Sequence, residues 1–166
     1  MIAKSYLQKN LDILERLYNS STSTAKSLFY SKLAILELCG WIEESMDDIV
    51  KMCCHRIIKD KREQKEIEDF ISRNYGFEYD PHFRRMLTQV IGRKGVIRLE
   101  KRVDPVKLQV LQATLSTLKR SRDNEAHTHI KGITKRLDAP SVTKAKYLLV
   151  YDGLIEIDEQ LKKISF

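Results

Sequence analysis

The stretch of residues 118–129 combines a cation with a group that can exchange protons. Leucines spaced three or four positions apart lead up to it, at positions 108, 111, 115 and 118. Arg122 takes the next inward position, where the pattern requires an apolar side chain, and such departures concentrate at functional sites. His127 follows five residues later and is able to give or take a proton near neutral pH. A fixed cation beside an acid–base group is what cleavage of a phosphodiester bond requires.

The neighbours of this pair are candidates for supporting roles. On a straight helix Asp123 and Asn124 lie four and three positions before His127, so either side chain can orient the imidazole ring. Arg122 lies about 140° round the helix from the histidine, so its long arm must bend or the helix must loosen. His129 is the alternative to His127 as the acid–base residue.

The composition fits one globular domain spanning residues 1–166. The chain has 30 Lys and Arg residues against 23 Asp and Glu residues, a formal net charge of +7. A basic balance favours an acidic partner, with nucleic acid before an anionic membrane. Between residues 84 and 102 a basic run holds seven Lys or Arg residues against one acid. Phosphate contacts or an ordinary solvated face both account for this run.

The cysteines do not form a standard metal site. Cys39, Cys53 and Cys54 contain no CxxC pair, and adding His55 gives a spacing that matches no standard zinc finger. We therefore expect buried thiols in a reduced compartment and no bound metal. The acidic residues at positions 43, 44, 47 and 48 are expected on the solvated face of their helix. Neither a signal peptide nor a membrane-length apolar run is present, which predicts a cytoplasmic protein without a membrane partner.

Helical periodicity covers almost the whole chain. We expect helices over residues 2–19, from 23 to 57, up to 75, from 81 to 91, from 105 to the motif, and over 141–164. Asp80-Pro81 and Asp104-Pro105 are each typical of a helix N-cap followed by a first-turn proline. Gly76 is expected to cap the third helix, and Gly92 and Gly95 are expected to break the chain. The sequence predicts an all-α, single-domain bundle of four or five main helices.

A helical bundle with Arg-Asp-Asn-Glu-Ala-His after its penultimate long helix resembles the HEPN superfamily, and within it the RiboL-PSP-like branch. The signature of that family is an arginine, four to six further residues and a histidine, with a polar residue after the arginine. Residues 122–127 match this signature, with four residues between Arg122 and His127 and Asp123 in the polar position. The resemblance in element order covers residues from about 23 to 166.

This resemblance implies a metal-independent endoribonuclease that needs no cofactor. In this interpretation His127 acts as acid or base on the ribose 2′-hydroxyl or the leaving 5′-oxygen. Arg122 binds the scissile phosphate, and cleavage leaves a 2′,3′-cyclic phosphate. The family completes its site with a symmetric dimer, so we expect a homodimer with a composite active site and an interface that includes residues 115–130. The basic residues expected to bind RNA around the motif are Lys119, Arg120, Lys131, Lys135 and Arg136.

The cellular role implied by the resemblance is that of a toxin or an anti-phage or stress effector. A related toxin group carries a tyrosine two residues after the histidine, which a partner nucleotidyltransferase modifies. His129 stands there in this chain, which disfavours that antitoxin but leaves another neutralising partner open. The alternative function is a non-catalytic HEPN-like module that binds RNA, a nucleotide or a partner protein. The intact pair of Arg122 and His127 favours the enzyme.

Overall fold

The computed structural model describes residues 5–126, 129–130 and 136–164. Over this part of the chain it is all-α, as the periodicity predicts, and contains no strand. The helices are α1 (Ser5–Ser20), α2 (Thr24–Ile57), α3 (Lys61–Ser72), α4 (Arg85–Glu100), α5 (Pro105–Ala126) and α6 (Pro140–Lys163). A π-helical turn, Tyr79–Arg84, leads directly into α4. No described helix combines the length and the apolar character that crossing a membrane requires.

The long helix α2 is the centre of the bundle. It has 34 residues and packs against every other helix. As a result, buried side chains occur on most of its circumference. Its N-terminus is capped by Ser23, whose hydroxyl accepts a hydrogen bond from the backbone N–H of Lys26. Its predicted stripe is buried along most of its length, at Ile35, Leu38, Ile42, Met46, Ile49 and Cys53.

The helix that carries the motif begins where the sequence predicts. Asp104 caps α5 by accepting hydrogen bonds from the backbone N–H groups of Val106 and Lys107, at 2.8 and 3.1 Å. The leucine stripe then turns inward, and its buried members are Leu111, Leu115 and Leu118. Burial of these side chains orients α5 against α2 and α6, and so fixes the direction in which residue 122 points.

A close approach of two helices holds α5 in place. Gly153 of α6 faces Leu111, and a Cβ atom at position 153 would lie 2.8 Å from the Cβ of Leu111. The absence of a side chain at Gly153 therefore lets the two backbones approach more closely than an alanine would allow. On the other side of α6, Tyr147 makes an edge-to-face contact with Trp41 of α2, with ring centroids 5.2 Å apart.

The structure differs from the sequence prediction between residues 73 and 100. Asp80 caps no helix, because the π-helical turn starts one residue earlier, at Tyr79. Gly92 kinks the chain with φ 67° and ψ 167°, but helical structure resumes at the next residue. The predicted break at Gly95 is wrong, since Gly95 is buried within α4. Of these two glycines, Gly92 forms a kink and Gly95 occupies a buried helical position.

Gly76 has a different role from the predicted helix cap. Helix α3 ends at Ser72 with Arg73 as its C-cap, and Gly76 lies in the following loop with φ 127°. A Cβ atom at position 76 would lie 2.6 Å from Nε2 of His82, so only glycine leaves room for this ring. The loop that Gly76 allows buries Phe77 in the core, at 1% exposure.

Candidate functional site

Arg122 reaches from the last turns of α5 to the central helix α2. Its Nη2 donates a hydrogen bond to Oε1 of Glu43 at 2.6 Å, and its Nη1 donates to Oδ1 of Asp123 at 3.5 Å. Its guanidinium carbon lies 5.6 Å from the ring centroid of Phe77. The side chain of Arg122 is 28% exposed. The arginine at the inward position is thus half-buried and held by two carboxylates and an aromatic face.

Lys119 extends this group of charges by one helical turn. Its Nζ donates to Oδ2 of Asp123 at 2.8 Å and lies 4.0 Å from Oε2 of Glu78. The hydrogen bond to Asp123 raises the pKa of Lys119. Because Asp123 contacts both Lys119 and Arg122, one carboxylate links the two cations. We call these five residues, Lys119, Arg122, Asp123, Glu43 and Glu78, the arginine cluster.

The arginine cluster fixes the orientation of the Arg122 side chain, and its carboxylates also balance the positive charge of the guanidinium. It contains two cations, Lys119 and Arg122, against the three carboxylates of Glu43, Glu78 and Asp123. A guanidinium has five N–H donors, so contacts with two carboxylates leave donors for a further acceptor. A phosphate approaching Arg122 can therefore use the remaining donors or take the place of Glu43. The first mode keeps the arm in its observed orientation.

The other predicted site residues are placed as follows. His127, Lys131 and Lys135 lie outside the described residues, so the predicted pairing of Arg122 with His127 stays a prediction. Asn124, His129, Arg120 and Arg136 are exposed. The structure thus brings together Arg122, Asp123 and Lys119 from the predicted set. Arg120 takes no part in the arginine cluster.

Sequence reasoning missed the contribution of α2 to this site. Glu43 was expected on a solvated face, together with Glu44, Asp47 and Asp48. Glu44 and Asp48 are exposed as expected, but Glu43 and Asp47 are half-buried because several helices surround α2. Burial raises the pKa of Asp47 to about 6. The available signal was the spacing: Cys39, Glu43 and Asp47 recur every fourth residue and share one side of the helix.

The loop before α4 contributes the other missed residues. Phe77 lies beneath the guanidinium of Arg122, and Glu78 faces Lys119. Both residues follow Gly76, whose backbone conformation directs the loop back to α5. No periodic pattern covers this segment, so the sequence offered only Gly76 as a signal.

The three thiols are free and buried. Burial raises the pKa of Cys39 to about 12, even though Arg122 nearby lowers it. Burial also raises the pKa of Cys53 to about 11. These thiols are therefore protonated at neutral pH and are poor nucleophiles and metal ligands. Nowhere in the described chain do three His, Cys, Asp or Glu residues gather as a metal site.

Comparisons of the chain with protein-family models, with curated proteins and with solved structures found no match. The functional interpretation therefore depends on the motif and on the geometry around Arg122.

Proposed function

We propose that this protein is a metal-independent endoribonuclease of the HEPN type. The observation that carries the proposal is the placement of Arg122, a half-buried cation at the end of α5, held by Glu43 and by the ring of Phe77. A cation with a fixed orientation is suited to a charge that develops during a reaction, because little reorganisation is needed when the charge appears. His127 follows in the sequence at the spacing of the HEPN signature.

The proposed reaction needs only a fixed cation and an acid–base group. The ribose 2′-oxygen attacks the adjacent phosphorus while its proton passes to a base, and the bond from phosphorus to the 5′-oxygen breaks. The leaving 5′-oxygen takes up a proton, so the products are a 2′,3′-cyclic phosphate and a 5′-hydroxyl. His127 supplies acid or base catalysis, and Arg122 stabilises the charge on the phosphoryl oxygens. Dependence on the 2′-hydroxyl restricts the activity to RNA.

The arginine cluster gives Glu43 and Asp123 supporting roles in this proposal. Glu43 holds the guanidinium across the gap between α5 and α2, and Asp123 links it to Lys119. The phosphate then uses the N–H donors that these carboxylates leave open. A planar guanidinium serves this purpose because its donors point in several fixed directions, whereas a lysine has a single ammonium group.

Each chain has one motif, and a general acid and a general base are both required. We propose that a homodimer brings two motifs together across its two-fold axis, with residues 115–130 in the interface. The proposed setting is cytoplasmic, as a toxin or an anti-phage or stress effector that a neutralising partner restrains.

The test is cleavage of mixed cellular RNA in the presence of EDTA. Arg122→Ala and His127→Ala are each expected to lower the rate by about 10²-fold or more, the loss typical of removing a charge-stabilising donor or an acid–base group. Arg16→Ala and His55→Ala are the matched controls, since they remove the same types of side chain from exposed positions outside the motif. Wild-type products should carry cyclic phosphate ends. Cleavage that survives in Arg122→Ala at the wild-type rate would refute the proposal.

One observation favours a second candidate function. Carboxylates outnumber cations in the arginine cluster, which suits a non-catalytic module whose arginine has a structural role. Such a module would bind RNA, a nucleotide or a partner protein without cutting. Wild-type protein that binds RNA and leaves it intact, with Arg122→Ala strongly destabilised, would support this alternative.

A further inference from the structure

A groove along α4 presents a different chemical surface from the arginine cluster. It is open and has a volume of about 580 Å³. The residues that form it recur mainly every fourth position, and include Pro81, Arg84, Arg85, Gln89, Arg93 and Ile97. Its volume falls within the range of roughly 300–1,000 Å³ that is usual for ligand sites. Guanidinium groups, an amide, the hydroxyl of Thr88 and apolar side chains thus line one concave surface, which we call the α4 groove. The carboxylate of Asp80 also lines it and lies 3.9 Å from Nε of Arg84.

Two of its three arginines are available to a ligand. Arg84 donates two hydrogen bonds to the carboxylate of Glu100, at 2.8 and 3.3 Å, so its charge is already matched. Arg85 lies over the ring of Phe70, with its guanidinium carbon 5.2 Å from the centroid. Arg93 is exposed. No carboxylate within the described ranges pairs with Arg85 or Arg93, so both charges are open to an anion.

The α4 groove and the arginine cluster border the same segment of chain. At one end of residues 77–84, Phe77 lies under Arg122 and Glu78 faces Lys119. The next residue, Tyr79, donates its hydroxyl to Glu100 at 3.1 Å, and the same carboxylate holds Arg84 at the other end of the segment. Residues 77–84 thus connect the arginine cluster to the α4 groove, and a single polyanionic strand bound at Arg122 can continue along this segment.

We propose that the α4 groove is a subsite for single-stranded RNA adjoining the cleavage site. Arg85 and Arg93 bind backbone phosphates, and the apolar faces of Pro81 and Ile97 lie against a base. The amide of Gln89 offers both a donor and an acceptor to the edge of that base. The identity of the ligand rests on the proposed ribonuclease function. A concave surface fits a strand better than a membrane, which is usually contacted by a continuous apolar helix face with basic residues beside it.

The test is binding of a fluorescent 2′-O-methyl RNA, which lacks the attacking hydroxyl and cannot be cut. An oligonucleotide of about 12 nucleotides is suitable, since single-strand-binding domains cover roughly 4–16 nucleotides. Fluorescence anisotropy at several salt concentrations gives the dissociation constant and its salt dependence. The variant is Arg85→Gln/Arg93→Gln. The matched control is Lys9→Gln/Lys26→Gln, which removes two exposed charges from α1 and the start of α2.

Each phosphate contact to a single strand contributes about 0.7 to the slope of log affinity against log salt. The Arg85→Gln/Arg93→Gln variant should therefore lose about 1.4 from the slope, and its affinity near 0.1 M salt should fall roughly 20-fold. The control should bind within two-fold of wild type, roughly the change expected when no specific phosphate contact is lost. Because Arg85 also packs on Phe70, the single variant Arg93→Glu provides a second measurement that leaves this contact intact.

An unchanged affinity and slope in both variants would overturn the subsite. Failure of the wild type to bind the 2′-O-methyl RNA would also overturn it. A third contrary result is binding to phosphatidylserine vesicles that the variants lose while their RNA binding is unaffected, which would make the groove a membrane contact. Cleavage of unmodified RNA separates the two proposals. Loss of RNA binding in the variants, with no cleavage by wild type, keeps the subsite and refutes the ribonuclease. Normal binding and cleavage in the variants, with no cleavage by Arg122→Ala, refutes the subsite and keeps the ribonuclease.

Discussion

Replacing Gly153 with alanine tests the helix packing that positions Arg122. The new Cβ atom would lie 2.8 Å from Cβ of Leu111 and 3.2 Å from its Cγ and Cδ2. Carbon atoms pack best about 3.5–4.0 Å apart, so all three contacts are too close. Rotation about χ1 of Leu111 cannot move its Cβ atom. Relief therefore requires the backbones of α5 and α6 to separate.

The expected change in stability is the difference between two effects. Alanine is favoured over glycine in a helix by about 1 kcal/mol, which would stabilise the variant. Overpacking a well-packed core typically costs about 1–3 kcal/mol, and a contact with an atom fixed to the backbone lies at the upper end of this range. We expect Gly153→Ala to lower the free energy of unfolding by about 2 kcal/mol.

Gly40 provides the matched control, because it is also inside a helix but no atom lies within 4 Å of its added Cβ. Gly40→Ala should raise the free energy of unfolding by about 0.5–1 kcal/mol, from helix propensity alone. Urea denaturation should therefore show the two midpoints moving in opposite directions with unchanged slopes. If Gly153→Ala is as stable as wild type or more so, the close approach of α5 and α6 is not present in solution.

Two further predictions concern buried ionisable groups. Burial raises the pKa of Asp47 to about 6, above the value of 3.8 for an unperturbed aspartate, so the folded state binds this proton more tightly. Its contribution to stability is therefore full below about pH 4 and is lost as the pH rises through 6. Asp47→Asn should raise the free energy of unfolding by on the order of 1 kcal/mol over wild type at pH 7, and by less at pH 4.5. A stability difference in urea denaturation that does not change with pH would contradict this expectation. Native protein at pH 8 should react slowly with a thiol-specific chromogenic reagent, and urea-unfolded protein should react quickly. The reason is that burial raises the pKa values of Cys39 and Cys53 to about 12 and 11. Rapid reaction of the native thiols would show that these side chains are not buried in solution.

Much of the fold was predictable because its signals are local. A capping aspartate before a proline marks the start of α5, and the leucine spacing identifies its buried face. The same spacing correctly indicates that Arg122 points inward. It cannot indicate what Arg122 meets there, since Glu43 lies 79 positions away in the sequence. That contact depends on which side of α2 packs against α5, a property of the whole bundle.

Asp123 illustrates a second limit of periodicity. At helical spacing, the sequence positions one turn before and after Asp123 hold Lys119 and His127. The role predicted for Asp123 concerned only the histidine. In the structure Asp123 accepts a hydrogen bond from Lys119 at 2.8 Å. Opposite charges favour this contact, but helical spacing alone does not single out Lys119. Gly92 and Gly95 show a similar limit, because the same residue type forms a kink at one position and lies buried within the helix at the other.

The kink at Gly92 also affects the motions available to α4. Its conformation, φ 67° and ψ 167°, is one that is essentially restricted to glycine. The backbone dihedrals depart from helical values there, so α4 consists of two segments that meet at a kink. Hydrogen exchange should therefore separate residues 93–100 from the preceding segment. The kink sets the direction of the segment that carries Arg93, while Val96 and Leu99 of the same segment stay fully buried.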